Sequence, residues 1–403
     1  MTMIGRRVTV LGAGVGGLAV ARALALRGAS VTVLEQADAI REVGAGVQVS
    51  PNGAAVLRAL GLQAGLQACG TRATAIALND GFTGDTVLRM DLAALRPQQA
   101  YHFVHRADLI ALLAAGARDA GVDLRLLHKG TGVNLDGPRP VVTTTQGDCE
   151  ADLLIGADGL HSVTRVALNG PADPFFTRQV AWRALIPCAP DAPPLAEVHM
   201  GPGRHLVSYP LRGGTLRNIV AVEERNTWVE ESWSLRDDPM DLRLAFADFA
   251  PRVRGWLDQV QDVWLWGLFR HPVAKVWQRS LPAGGVAILG DAAHPTLPFL
   301  AQGASMALED AWVLADALDG QGVWDGQAGQ GGPDWQGGLA AYQAARIGRT
   351  SRVVAAANGN ARAYHLRGVQ RGIAHAALRL GSAIAPGLAL RRFDWLYDHD
   401  VTR

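Results

Sequence analysis

Short apolar runs, each long enough for one buried strand, recur along the chain, and the residues that follow them differ from run to run. Arg7–Leu11 is such a run; Gly12-Ala13-Gly14-Val15-Gly16-Gly17 follows, then an amphipathic helical pattern over residues 18–27. A second run, 31–34, ends in Glu35. This predicts strand, glycine turn, helix and strand in succession. Residues 152–165 read DLLIGADGLHSVTR, an apolar strand delivering Asp158-Gly159 to a turn ahead of a helix that carries Ser162 and Arg165. Residues 286–289 run into Gly290 and Asp291, then a Pro-bearing loop, Gly303 and a helical pattern from Ser305 towards Leu318. Another helical pattern starts at Arg106, directly after Tyr101-His102-Phe103-Val104-His105.

Between about Phe175 and Leu281 the pattern changes. Strand-like runs at 180–187, 197–200, 205–210 and 217–223 alternate with turn residues, and the tryptophans gather here: Trp182, Trp228, Trp233, Trp256, Trp264, Trp266 and Trp277. We read a largely antiparallel inserted domain whose inner face covers a flat organic molecule, with most of the aromatics in its core. Residues 319–338 are Gly/Gln-rich and read as an exposed loop; helical patterns then run over 339–366 and on to 380, carrying Tyr342, Arg346 and Arg349. The ending RRFDWLYDHD, 391–400, reads as packing. The predicted class is therefore α/β, with a Rossmann-like dinucleotide domain in two parts (1–174 and 282–318), an inserted mainly antiparallel β-sheet domain (175–281, with 70–104 a candidate contributor) and a C-terminal helical segment (319–403).

The chemistry follows from the turns. In the first of them, Gly12 allows the tight bend, Gly14 lets the backbone approach a pyrophosphate, Gly17 lets helix and strand pack closely, and Glu35 stands where ribose hydroxyls are bound. An acid there repels a 2′-phosphate, which favours FAD or NAD over NADP at this site. The 290–310 stretch offers a carboxylate, Asp291, and a helix start to one ligand. A flavin dinucleotide needs both, for its polyol chain and for the charge at the edge of its reduced ring; the plain alternative is an ordinary strand–loop–helix unit with a capping serine. In Arg41 to Asn52, REVGAGVQVSPN, Gly44 and Gly46 allow close approach of something flat, or simply form a turn before a Pro-initiated helix. Arg106 at a helix start opposes the dipole unless an anion lies there, a surface ion pair being the default. Asp158-Gly159 is a ligand-edge element or a common turn. His205 and Tyr209, four apart on one strand and so on one face, pair a base useful near neutral pH with a hydrogen-bond donor; a buried, satisfied histidine is the even alternative.

Composition trims the rest. The 403 residues carry a net charge of +1, and Lys129 and Lys275 are the only lysines, so no basic run exists for nucleic acid. Cys69, Cys149 and Cys188 are odd in number and widely spaced, which argues for a reducing compartment and against zinc or disulfides. No secretory signal precedes the first strand, and the expected location is the cytoplasm. The longest apolar tract, 373–390, contains His375, Arg379 and Pro386 and is no clean span; it reads as a core helix with a break, a monotopic surface contact being the alternative.

Three motifs in this order, the glycine turn with Glu35, the Asp158-Gly159 segment and the Gly290-Asp291 segment, resemble the single-component flavoprotein aromatic hydroxylases. The likeness covers nearly the whole chain. It is closest to the salicylate, 3-hydroxybenzoate and 6-hydroxynicotinate hydroxylase branch through GAGVQVSPN, GDAAHPTLPFLAQGASMALEDA and FDWLYDHD. The resemblance implies FAD held by Gly12, Gly14, Gly17, Glu35, Arg41, Val47, Arg106, Asp158, Gly159 and Asp291, with the N–H groups around Gly303, Ala304 and Ser305 at the flavin edge. It implies Pro298 beside the ring where substrate docks, and it matches His205 and Tyr209 to a substrate-contacting His and Tyr of the 3-hydroxybenzoate members. Pro298 stands where those members have a Gln, which leans towards salicylate-like sites. The implied reaction uses NADH, or NADPH, to reduce FAD; dioxygen then adds at the flavin C4a carbon, and one oxygen atom passes to a small phenolic or hydroxybenzoate-like ring. A homodimer is compatible with the resemblance, and no metal or transmembrane segment is expected. Hydroxylation of a larger polyketide or quinone ring is the alternative within the scaffold, and a flavin-binding redox sensor without turnover the alternative outside it. Trp264-Leu265-Trp266 superficially resembles a flavin halogenase motif, but its Ile-Pro ending and a suitable lysine are missing.

Overall fold

The structure, a computed structural model, describes residues 3–40, 46–189, 191–227, 229, 235–320, 335–385 and 387–403. Arg41, Gly44, Trp228, Trp233, Pro386 and the centre of the Gly/Gln-rich stretch lie outside the described residues. Four of the apolar runs assemble side by side because each is hydrophobic on both faces and must be covered twice, and the polar, partly exposed strands Gln278–Leu281 and Asp123–Arg125 flank them. They form a six-stranded sheet in the order Gln278–Leu281, Gly284–Ile288, Leu153–Gly156, Arg7–Leu11, Ser30–Leu34, Asp123–Arg125, parallel throughout except for the first. Helices Val15–Ala25, Arg106–Asp119 and Gly303–Gly320 pack together beside it, and Gly16 sets their spacing, since a Cβ there would lie 2.5 Å from Leu289 and 3.3 Å from Ala307. A small antiparallel meander, Gly130–Asn134, Val141–Thr144 and Gly147–Glu150, stands apart from this sheet.

The inserted region is an eight-stranded sheet ordered Arg236–Asp237, Val263–Arg270, Phe175–Pro187, Leu216–Glu224, Arg204–Leu211, Leu195–Gly201, Ala75–Asp80, Thr86–Asp91. It is antiparallel except where Leu195–Gly201 runs parallel to Ala75–Asp80. Alternation sorts its two faces. Trp182, Ala184, Leu206, Ile219 and Leu265 point outward and are buried under helices Pro239–Ala245 and Pro251–Leu257 by Phe246, Val253 and Leu257. His205, Val207 and Tyr209, with Val222, Val220 and Asn218 opposite them in register, point inward to the dinucleotide-type domain. Trp277 is not part of this region's core: it is buried in the other domain against Tyr342 and His294.

One long helix, Trp335–Tyr364, ties the two domains together. Its buried residues Tyr342, Arg346, Thr350, Val353, Ala357 and Ala361 recur every three or four positions, the stripe of a single helical face. That stripe starts in the core of the first domain at Tyr342 and ends against Trp266 and Phe299 at Ala361. The next helix, Gly368–Ile384, departs from the core helix the sequence suggested over 373–390. Ile373, Leu380, Ile384 and Leu388 are 65%, 63%, 73% and 62% exposed. What docks this helix on the body is its opposite side, where Arg371 and His375 reach Asp80 at 2.7 and 3.3 Å and Leu378 packs against Val87 and Val198. No helix among the described residues is long and apolar enough to cross a membrane.

Candidate active site

The glycine turn is built as its sequence requires. Gly12 takes φ +103°, and a Cβ on it would lie 2.5 Å from the Ala157 carbonyl; a Cβ on Gly17 would lie 2.0 Å from the Gly12 carbonyl. Neither position admits a side chain. Gly14 differs: nothing stands within 4 Å of where its Cβ would be, so the glycine there leaves open space above the start of the helix. Glu35 closes the far side, its carboxylate accepting from the N–H groups of Ala13 at 2.7 Å and Ala37 at 2.9 Å. The tight turn, the open space and the acid are what a dinucleotide's pyrophosphate and ribose call for, so the residues present fit that group.

The other candidates lie at the ends of neighbouring strands and helices. Asp291 follows strand Gly284–Ile288 and is partly open to solvent, with protein packed around its carboxyl otherwise. That enclosure pushes its carboxyl above the ordinary range, against the pull of His294, Arg106 and His271, which puts Arg106 within electrostatic reach of Asp291. Val47 lies on strand Gly46–Val49, paired with Val104 just ahead of Arg106. Gly303, Ala304 and Ser305 are the first residues of helix Gly303–Gly320, whose first-turn N–H groups have no acceptor within the helix. Ser305 is no cap; its hydroxyl faces that of Ser50 at 2.9 Å. Asp158 lies at the end of strand Leu153–Gly156, but its carboxylate turns into the next helix and accepts from Ser162 at 2.5 Å and from the Thr164 N–H and hydroxyl at 3.2 Å. Gly159, at φ +72°, has open space around it.

Below the helix start lies a polar network that the motifs did not announce. Asp310 accepts from the Gly290 N–H at 3.0 Å, from His294 Nε2 at 2.5 Å and from Arg346 Nε at 2.8 Å. Glu309 accepts from Asn52 at 2.6 Å and from both ends of the Arg349 guanidinium at 2.8 and 2.7 Å, and Arg346 reaches it at 2.7 Å. Gln302 closes the set between Asn52 and Ser50. Burial would raise both carboxyls, but the attraction of His294 and Arg346 outweighs it at Asp310 and holds that group at about 2. At Glu309 the two arginines and Asn52 likewise win. These charges fix the Gly290-Asp291 turn, the 51–59 helix and the 303–320 helix to one another. Arg349 also donates to the carbonyls of Trp395 and Leu396, so the FDWLYDHD ending is bonded into the network as well as packed.

On the sheet side, His205 is 1% exposed, with its ring 5.6 Å from Phe299 and 5.1 Å from Tyr364. Phe299 belongs to the turn Pro298–Leu300, so the strand bearing His205 and the loop bearing Pro298 meet directly. Tyr209 lies about 13 Å further along the strand; its ring is 5.0 Å from Phe103, it abuts Gly46, and burial raises its phenol above the usual range. Arg183, which sequence reasoning passed over, sits on the same inner face two strands away, level with Val207 between the two. Its guanidinium lies 3.7 Å from the centre of the Trp266 ring, and burial lowers its pKa to about 9. Asn218 accepts from the Gly46 N–H at 2.8 Å and joins the sheet to the glycine-bearing strand. Among the described residues no cluster of His, Cys, Asp and Glu is arranged to hold a metal ion.

With this geometry in hand, comparison with known proteins is specific. A family described as "FAD binding domain" matches residues 6–357. The chain is 36% identical over 373 residues to a 3-amino-4-hydroxybenzoate 2-monooxygenase of Streptomyces cremeus, covering 89% of this chain and 88% of that protein. It is 32% identical over 406 residues to a 3-hydroxybenzoate 6-hydroxylase of Polaromonas naphthalenivorans, covering 98% and 96%. Among solved structures, Klebsiella pneumoniae HpxO complexed with FAD and uric acid superimposes with a TM-score of 0.80 at 26% identity, covering 95% of each chain.

Proposed function

The chain belongs to the FAD-dependent aromatic hydroxylases, close to the salicylate and hydroxybenzoate hydroxylase branch, and on that premise we propose that it hydroxylates a small phenolic ring bearing a carboxylate. FAD would be held by Gly12, Gly14, Gly17, Glu35, Arg106, Asp291 and the first turn of the 303–320 helix, and with NAD(P)H and dioxygen it supplies the activated oxygen. Arg41, Asp158 and Gly159 keep the cofactor roles that the resemblance implies. The chain's own part is to bind, orient and polarise the ring. His205 takes the phenolic proton, which makes the ring carbon a stronger nucleophile. A ring lying between His205 and Tyr209 has the Arg183 guanidinium level with it, where a carboxylate gains a charge-assisted hydrogen bond. Phe299, Leu297, Val222 and Leu268 form an apolar wall that keeps water from the reacting atoms. Pro298 brings shape and no side-chain hydrogen bond, which favours salicylate-like ligands over those needing an amide there.

The observation that carries this reading is the contact of His205 with Phe299, since it brings the one inward-facing base of this strand against the loop that follows Asp291. The test is anaerobic reduction by NADH in a stopped flow, alone and with salicylate, 3-hydroxybenzoate, 4-hydroxybenzoate and 6-hydroxynicotinate in turn, followed by product analysis. One of these should accelerate reduction strongly and be hydroxylated. His205→Ala should retain FAD and lose roughly 10²–10⁴-fold in hydroxylation. Equal rates with every ligand would point to a larger ring, and unchanged coupled turnover in the variant would remove His205 from the chemistry.

A further inference from the structure

His205 is not an isolated base. Its Nδ1 lies 2.7 Å from Nε2 of His365, whose own Nδ1 lies 2.9 Å from a carboxylate oxygen of Glu224. Both imidazoles are buried, at 1% and 5% exposure, while the Glu224 side chain is 38% exposed and its other oxygen meets Arg367 at 2.6 Å, on the outside of the molecule. Two hydrogen bonds thus join the substrate-facing ring to solvent. The three residues come from strand 204–211, strand 216–224 and the segment just after helix 335–364, and their meeting had no counterpart in any sequence motif.

Chemistry fixes the direction of each bond. A carboxylate only accepts, so the proton between Glu224 and His365 is on His365 Nδ1. Neutral His365 then has its lone pair on Nε2 and accepts from His205 Nδ1–H, which leaves the lone pair of His205 on Nε2. Burial holds both rings below the ordinary imidazole range, which keeps the pair neutral near pH 7.

We propose that Glu224 and His365 are positioning residues that set the tautomer of His205 and carry the substrate's phenolic proton between the closed site and solvent. The step balances without any added reagent. The phenolic O–H bond breaks and its proton bonds to His205 Nε2; the proton on His205 Nδ1 passes to His365 Nε2; the proton on His365 Nδ1 passes to Glu224 and on to water. The ring is left as phenolate, with no change in oxidation state. When the product phenolate takes up a proton, the same transfers run backwards and restore the starting tautomers, so one turnover resets the chain.

This inference rests on His205 being the base, and the experiment separates the two. With ¹⁵N-histidine labelling, long-range ¹H–¹⁵N correlation of the ligand-free protein reports the tautomer of each ring directly. The wild type should show His205 as Nδ1–H and His365 as Nδ1–H. Glu224→Ala should erase that preference, whereas Arg367→Ala, which removes only the outer ion pair, should retain it. In turnover, Glu224→Ala and His365→Phe should each lower kcat for hydroxylation by about tenfold or more, with KM for 3-hydroxybenzoate or salicylate, whichever is turned over, within about threefold. If Glu224→Ala leaves both tautomers and kcat as they were while His205→Ala is inactive, the base stands and the relay is overturned. If His205→Ala is fully active, both fall. Glu224→Ala changes a partly exposed side chain, so it remains informative should His365→Phe fold poorly.

Discussion

Two sets of buried polar groups flank the Pro298–Leu300 turn, and they follow opposite rules. On one side Leu300 packs against Met306, Val353 and Leu396 above the Asp310, Glu309, Arg346 and Arg349 cluster. On the other, Phe299 touches His205 at the head of the His365–Glu224 chain. The first set is fully charged and closed on itself: every carboxylate oxygen meets a guanidinium, imidazole, amide or backbone N–H. The second is neutral inside and charged only where it reaches water. A closed set of charges resists displacement, because moving any member exposes another in a medium that does not screen it. A neutral chain open at one end lets a proton travel at small cost. The first arrangement suits holding a cofactor's frame rigid, the second exchanging one proton per turnover.

The sharpest way to break the comparison is Arg346→Met, which keeps length and removes charge. It leaves Glu309 and Asp310 buried without their main partner and should destabilise the fold by about 3–5 kcal/mol in urea unfolding. A loss below about 1 kcal/mol would show that the network is not closed as described. Acid separates the two regions next. Asp310 is depressed in the folded state, so its contribution is full above the unfolded carboxylate value near 4 and is lost as pH falls through about 2, an effect on the order of 2 kcal/mol. His205 and His365 are depressed too, but from the ordinary imidazole value of about 6.5; their contribution is full above that and declines as the medium becomes mildly acidic. Thermal midpoints measured from pH 7 down should therefore fall first with a histidine component that His205→Phe reduces, and only near pH 4 and below with the carboxylate component. The smallest effect is expected for Glu224→Ala, whose stability loss should stay below about 1 kcal/mol because the residue is partly exposed. A larger loss would mean that the carboxylate is a structural support of the strand end more than a partner of His365.

Local patterns carried the first domain into view. Strand, glycine turn, helix and acid lie within 30 residues of one another in the chain, and each glycine has a steric reason that acts over a few bonds, as at Gly12 and Gly17. His205 and Tyr209 were legible for the same reason, since period two on one strand sets a shared face. Arg183 was not, because what marks it is the Trp266 ring on the next strand, more than eighty residues away in the chain. The buried network left one trace in the sequence: Glu309-Asp310 stands between apolar residues in the middle of a helix, and Arg346 and Arg349 stand three apart on another. That pattern calls for partners without saying which. The aliphatic positions of 373–390 misled in the other direction, because hydrophobicity alone does not tell which side of the Gly368–Ile384 helix is held by the body, and here that side carries Arg371, His375 and Leu378.

The bonds from Arg349 to the Trp395 and Leu396 carbonyls set an order of assembly. Glu309 is made long before residue 396, and strand Gly284–Ile288 enters the six-stranded sheet only after the whole inserted sheet region has been synthesised. On the ribosome the glycine turn and Glu35 emerge first, yet the network bracing the far side of the cleft is complete only after residue 396 has cleared the exit tunnel. The glycine turn and the 290–310 stretch are therefore braced to one another only once residues 395 and 396 are in place.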